Sequence, residues 1–458
     1  MINQLRVNMP SRPSSLSTMK DRTLSIGAIA ALALLPQLLY ARSFAELFWF
    51  GDDWDLLDQI SRLGFWRWVA LPFAENFIPL FKLFWGGAAI ISGSYYVMIW
   101  IIWITHALNA VLFHRLLTRN GLSWRTAVPA TVIFALTPAN IETLCWATQW
   151  SAVISMTFFL AALHVQSSAT APRLRDIVLL FGCALASALC FSRGVVTGLA
   201  LGLVALYPAR PDRYPRAKQW LNAAICSLPS LAVAAVITLF AGGNQQHVTA
   251  QTLMKGLAYA SYFFALNPLH HLLPFDGWSW LTVVVLGLAN GACILWVWQR
   301  ATERERQLVS TLVLFALGSA ALVGIGRFHT GLETVTSSRY QYSAQICMLP
   351  IYALCIEGIW GGLERRKVPR LTFSILASLA AVILATGYIQ RWKSEIADWS
   401  VGRGRQAREL LLVNPAPPAE HAVPGISFMT TQRAKELINE YHLAEQPPST
   451  GTSRSPSP

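Results

Sequence analysis

Charge is what this chain has least of. Only 13% of its 458 residues are Asp, Glu, Lys or Arg, while 54% are hydrophobic. An ordinary soluble domain carries about twice that charge, so with a mean hydropathy of +0.43 a water-soluble globular protein is excluded. The apolar runs also lack alternation of period two, which argues against a membrane-spanning β-barrel. Cysteine is present but unorganised. Of the seven, Cys183, Cys190, Cys226, Cys293, Cys347 and Cys355 lie in or at the ends of apolar runs, and Cys145 stands alone near a loop. That pattern gives neither a disulfide framework nor a metal-type spacing. No internal repeat is evident.

What is present is a series of long apolar runs from Leu24 to Ile389, the signature of an all-α polytopic membrane protein. Eleven spans are expected, at about 24–40, 95–117, 126–136, 148–165, 177–191, 195–207, 221–240, 280–298, 308–325, 340–359 and 371–389. The run 251–275 is broken by Asn267-Pro268 and His270-His271 and is read as a non-crossing outer helix. Ala41-Arg42-Ser43-Phe44 is a poor cleavage site, so the first run is read as a retained span rather than a signal peptide. The net charge of +13 is a topology signal rather than a nucleic-acid stripe. Twenty Lys and Arg fall in the six segments assigned to the cytoplasmic side, against eight in the opposite loops outside the C-terminal tail. The 18 Trp fit interfacial belts.

This gives a cytoplasmic N-terminal segment (1–23) and a multi-span membrane domain (24–389). A short extracytoplasmic C-terminal segment (390–445) and a disordered Pro/Ser-rich tail (446–458) complete the chain. The first outer loop (41–94) holds an amphipathic helix over about 55–69, with Leu56, Leu57, Ile60, Leu63 and Trp66 at helical spacing. After it comes a second outer or half-inserted helix ending at Ser92-Gly93.

Under this topology one face collects Asp52, Asp53, Asp55, Glu75, Lys82, Glu142, Arg193, Arg327, His329, Glu333, Arg339 and Tyr340. Ionisable groups near membrane depth are expensive and usually face a cavity or a partner. The densest stretch is Phe50-Gly51-Asp52-Asp53-Trp54-Asp55, with three carboxylates in four residues. Two readings of it stand. Asp52 or Asp53 caps the helix beginning there, or at least one acid takes a proton from an acceptor hydroxyl or amide. Clustered acids also have the chemistry to hold a divalent cation such as Mg2+ or Mn2+. Arg339 beside Tyr340 is either an interface anchor or a phosphate clamp. The same choice applies to Arg193, Arg327 and Lys82. Glu142 either pairs with an arginine or joins Asp55, Tyr340 and His329 in positioning substrate. His106 and Asn109, one turn apart, are read as bonding between helices.

The order of these features resembles the bacterial GT-C glycosyltransferases, multi-span enzymes that use lipid-linked sugars. The matching pieces are Gly51-Asp52-Asp53-Trp54, Asn76-Phe77-Ile78-Pro79-Leu80 and His106-Ala107-Leu108-Asn109-Ala110-Val111-Leu112-Phe113. Thr137-Pro138-Ala139-Asn140-Ile141-Glu142 with Trp146, then Gly326-Arg327 and Ser337-Ser338-Arg339-Tyr340, complete the set. The resemblance implies a GT-C-like bundle and a polyprenyl-phosphate-linked sugar donor. Transfer would take place on the extracytoplasmic face of a bacterial inner membrane, to a glycan, lipid or protein acceptor such as pilin. It places the catalytic acid at Asp52 or Asp53 and the donor phosphate at Arg339 and Arg327. One departure is Ile78, where many relatives carry Arg before the Pro-Leu pair; the contact is then lost or moved to Lys82. Two rivals are a transporter or lipid flippase, which should show inverted repeats and broken midplane helices, and a polymerase or ligase using diphosphate-linked glycans.

Overall fold

The structure is a computed structural model that describes residues 26–74, 76–168, 173–207, 215–240, 249–269, 279–365, 370–413 and 429–443. Segment 1–23, Glu75, His270-His271, Arg210, Arg213 and the tail 446–458 lie outside the described residues. Among the described residues the chain is helical, with no β-strand and an isolated bridge between Phe73 and Asn76.

The principal helices in chain order are α1 (Ile26–Leu39), α2 (Asp52–Leu63), α3 (Pro79–Ser92), α4 (Tyr95–Arg119) and α5 (Trp124–Leu136). Then come α6 (Trp150–Ser168), α7 (Leu174–Cys190), α8 (Val195–Ala205), α9 (Arg216–Phe240) and α10 (Ala250–Leu266). The last are α11 (Trp280–Arg300), α12 (Glu303–Arg327), α13 (Ser338–Arg365), α14 (Arg370–Ala397) and α15 (Thr431–Tyr441). Among the described residues six are long and apolar enough to cross a bilayer: α4, α6 with the turn before it, α9, α11, α12 and α13. A seventh arises if α5 and the helix after it, bent by 44°, count as one span. The chain is an all-helical, multi-pass membrane protein.

Length alone thus supports six or seven spans, against the eleven apolar runs of the sequence. Part of the difference lies in helices whose described lengths fall short of the about 20 residues a full span takes: α1 has 14, α7 17 and α8 11. Ser192–Gly194 forms a tight turn ahead of α8, leaving 11 helical residues. At 1.5 Å per residue that helix is only about 16 Å long, against a hydrocarbon core of about 30 Å. The run after Gln251 forms α10, which ends before Asn267-Pro268. It packs lengthwise on α12, with Gly256 against the Gly324 backbone. Asn290 of α11 donates to the Phe264 and Ala265 carbonyls at 3.1 and 3.2 Å.

Contacts between loops sort the chain turns to two ends of the bundle. At one end Ser123 donates to Glu357 (2.7 Å), Gln307 to the Tyr207 carbonyl (3.3 Å) and Thr311 to Gln166 (3.0 Å). At the other end lie the acidic turn at Asp52, Thr148, Arg193, Arg327 and Arg339, gathered around one cavity. Between the ends, polar side chains tie helices together where apolar packing gains nothing over lipid. His106 Nδ1 lies 3.0 Å from the Tyr342 hydroxyl and its Nε2 3.2 Å from the Ala135 carbonyl. Asn109 donates to the Val153 carbonyl and to Tyr342 at 2.9 and 3.0 Å. Both residues therefore bond between helices, as their spacing suggests.

The C-terminal segment returns to the cavity end. Arg405 pairs with Glu46 at 2.7 Å, and Arg433 of α15 pairs with Asp58 of α2 at 2.7 Å. Ser61 donates to Glu440 at 2.7 Å beside it. α2 buries Leu56, Leu57 and Ile60, each burial worth about 1.5–3 kcal/mol relative to exposure. The single amphipathic helix expected over 55–69 is two helices, because Gly64 (φ 76°, ψ 151°) breaks it. The break turns the second helix, Phe65–Ala70, relative to α2, and Trp66 on it is 75% exposed.

The conformation of Gly64 is essentially restricted to glycine, and a Cβ there would meet nothing within 4 Å. Gly64→Ala should therefore destabilise the protein by about 1–3 kcal/mol through backbone strain alone. Gly87→Ala, in the interior of α3 and equally uncrowded, should not. Thermal unfolding of the two variants in detergent, followed by tryptophan fluorescence, checks this; equal midpoints would count against the break at Gly64.

Candidate functional site

The site begins with the turn that starts α2. Gly51 adopts φ +52°, and a Cβ on it would stand 3.0 Å from the Trp146 ring, so both backbone and neighbour require glycine. Trp146 Nε1 donates to the Phe50 carbonyl at 3.0 Å and Trp54 Nε1 to the Trp49 carbonyl at 3.1 Å. The turn is thus held on both sides. The three acids then occupy the first turn of α2, where the positive end of the helix dipole favours them.

Their side chains diverge. Asp52 is half-buried and lines the cavity. Asp53 is fully buried behind it. Its Oδ1 accepts from Thr148 Oγ1 in a short hydrogen bond, and its Oδ2 accepts from the Phe50 amide at 3.2 Å. Burial pushes the Asp53 carboxyl up to about 8, against the two hydrogen bonds that pull it down, with the Asp52 charge adding a smaller upward push. Asp55 does not line the cavity. Among the described residues no group of three or more His, Cys, Asp or Glu is placed to hold a metal ion. The three acids therefore do not fit the divalent-cation site that their sequence spacing allows.

The cavity is about 150 Å³ and opens at the end of the bundle. Asp52, Asn76, Thr148, Gln149 and Ser151 line it from the first loop and the start of α6. Ser192, Arg193, Arg327, Arg339 and Tyr340 line it from the far side. Phe73, Ile78, Phe191, Leu322 and Val323 supply apolar wall. Three arginines, one tyrosine and one acid singled out from the sequence thus share one space.

Arg193 is 5% exposed. It donates to Ser343 Oγ at 3.0 Å and to the Arg339 carbonyl at 3.4 Å, and it lies 4.7 Å from the Phe191 ring centre. Tyr340 lies between two guanidinium groups, 5.5 Å from Arg193 and 5.3 Å from Arg339. Burial lowers Arg193 to about 10, and the like charges of Arg339 and Arg327 add to this, so it remains cationic at neutral pH. The Arg339 backbone amide donates to Glu142 at 3.2 Å, and Ser337 donates to the same carboxylate at 3.0 Å. The guanidinium itself stands 3.9 Å from Glu142, and its buried Nε has no hydrogen-bond partner among the described residues. Glu142 therefore anchors the start of α13 and leaves hydrogen-bonding capacity on Arg339.

The other sequence candidates lie elsewhere. Lys82 is fully buried, and its ammonium donates to the Trp68 and Leu71 carbonyls at 2.9 and 2.8 Å, 4.9 Å from the Trp68 ring centre. It fastens α3 to the helix Phe65–Ala70 and does not line the cavity, so it does not replace the arginine missing at Ile78. His329 is exposed and faces Phe328. Sequence reasoning overlooked Thr148, Gln149 and Ser151. Their available signal was a polar run just after Trp146, at the start of an apolar span.

Measured against known proteins, the chain matches no family model and no curated protein sequence.

The state of Asp53 sets a pH dependence. An unfolded aspartate loses its proton near 3.8, whereas folded Asp53 keeps it until about 8. Between those values the folded state binds more protons, so the Asp53 contribution to stability is present at low pH and is lost as pH rises through about 8. Asp53→Asn removes the titration and keeps one acceptor oxygen, enough for Thr148 or the Phe50 amide but not both. The fall in unfolding midpoint from pH 5 to pH 9 should be smaller in this variant than in the parent protein; an unchanged fall would place the Asp53 pKa near its ordinary value.

Proposed function

We propose that this chain is a membrane glycosyltransferase that moves a sugar from a polyprenyl-phosphate donor to a glycan, lipid or protein acceptor. In this reading the N-terminus is cytoplasmic, about eleven segments thread the inner membrane in a GT-C-like bundle, and the cavity faces the extracytoplasmic side. The charge bias of 20 against 8 supports the orientation. The ordered motifs from Gly51 to Tyr340 support the donor class.

One observation carries the reading: a carboxylate, Asp52, lines the same cavity as Arg193, Arg327 and Arg339, and Arg339 has a buried Nε with no hydrogen-bond partner among the described residues. Arginine binds phosphate bidentately and cannot lose its charge there. The donor phosphate then lies among the arginines, with its isoprenoid chain in the bilayer. Asp52 accepts the proton of the acceptor nucleophile. The nucleophile forms a bond to the anomeric carbon, the bond from that carbon to the phosphate oxygen breaks, and polyprenyl phosphate leaves with both bonding electrons. Attack opposite the leaving group inverts the configuration. The arginines stabilise the charge that grows on the phosphate. Of the two acids raised by the motif, the cavity position favours Asp52 as the base, with Asp53 supporting it from beneath.

Purified protein in lipid, supplied with a panel of radiolabelled polyprenyl-phosphate sugars and an envelope extract, tests this. Asp52→Asn and Arg339→Ala should each lower transfer by about 100-fold or more. Full transfer by Asp52→Asn would overturn the assignment of the base. Movement of labelled lipid across the bilayer without sugar transfer would favour a flippase instead.

A further inference from the structure

Gln149 stands apart from the charged groups of the cavity. It is 8% exposed and lines the cavity, and its carboxamide has no hydrogen-bond partner among the described residues. Ser151, 3% exposed, lines the same wall, and its hydroxyl likewise has none among the described residues. Several other polar groups nearby are committed. Thr148 is bonded to Asp53, Arg193 to Ser343, and Glu142 to Ser337 and the Arg339 amide. The polar atoms of Gln149 and Ser151 open on the cavity, where a ligand or water completes their hydrogen bonds. A carboxamide offers donor and acceptor side by side, and a serine hydroxyl offers both in one atom. That pair matches the adjacent hydroxyl groups of a sugar ring. The aromatic rings of Phe73 and Phe191 in the cavity wall suit its C–H faces.

We infer that Gln149, with Ser151, forms the subsite that reads the hydroxyl groups of the transferred sugar and so sets which sugar is accepted. This rests on the lipid-phosphate-sugar reading above. With the phosphate among the arginines and Asp52 at the reacting carbon, the sugar is the part of the donor left to face the start of α6. Both residues are specificity determinants rather than catalytic groups. Neither is charged, and neither is needed for proton transfer.

The test uses the full chain in lipid nanodiscs. The best donor in the polyprenyl-phosphate-sugar panel is compared with its monodeoxy analogues, each lacking one ring hydroxyl. Gln149→Ala, the volume-conserving Gln149→Met and Ser151→Ala are measured beside the parent protein. The parent should favour the intact donor over at least one deoxy analogue by about tenfold in kcat/KM, the size expected for one good hydrogen bond to a buried polar group. Both Gln149 variants should lose that preference by slowing on the intact donor while keeping their rate on the deoxy analogue. Ser151→Ala should do the same for a neighbouring hydroxyl. Equal slowing on every donor, or no change on any, would overturn the inference while leaving the glycosyltransferase reading intact. Absence of sugar transfer by the parent protein with every donor would instead refute that reading, and this inference with it.

Discussion

The joint between the acidic turn and the segment Trp146–Gln149 is the contact on which the site depends. Asp53 is buried beneath the cavity and bonded to Thr148, while Trp146 donates to the Phe50 carbonyl beside a glycine on which a Cβ would crowd its ring. These contacts fix the rotation of α2 about its axis. Because Asp53 is held inward, Asp52, one residue and about 100° earlier on the helix, lines the cavity. The same joint sets the start of α6, and with it Gln149 and Ser151, on the adjoining wall. Loosening it would move the carboxylate and the uncharged polar groups together.

The opposite wall has a different physical basis. Three arginines in one small space repel one another; Arg193 and Arg339 stand beside aromatic faces, and Arg193 also donates to a backbone carbonyl. Tyr340 lies within cation–π distance of both Arg193 and Arg339, and the closest Glu142 oxygen stays 3.9 Å from Arg339 Nε. A wall so built keeps its positive charge available. The C-terminal segment braces the arrangement from outside: Arg433 and Glu440 of α15 grip Asp58 and Ser61 of α2, the helix that carries Asp52.

Much of this architecture was legible in the sequence, and the rest was not for identifiable reasons. The helix from Pro79 to Ser92 could be read directly, since Pro at its first position and left-handed Gly93 after its end are local signals. The gathering of Asp52, Arg193, Arg327, Arg339 and Tyr340 at one end could be anticipated, because alternating spans return such residues to one face. The choice between Asp52 and Asp53 could not. Adjacent acids at a helix start are equivalent until a neighbour such as Thr148, 95 residues away, claims one. Lys82 was misplaced for a similar reason: a lysine near a phosphate site looks available until burial and two carbonyls of a preceding segment hold it away from the cavity. The break at Gly64 escaped a reading based on apolar periodicity, which counts residues before it counts turns.

The most direct measurement is a structure of the purified protein in nanodiscs containing polyprenyl phosphate, determined by electron cryomicroscopy. The account predicts phosphate density between the Arg193, Arg327 and Arg339 side chains, with the isoprenoid chain leaving toward the bilayer and Asp52 facing the open space beside it. Phosphate bound at another part of the surface, with these arginines paired only to protein, would contradict it.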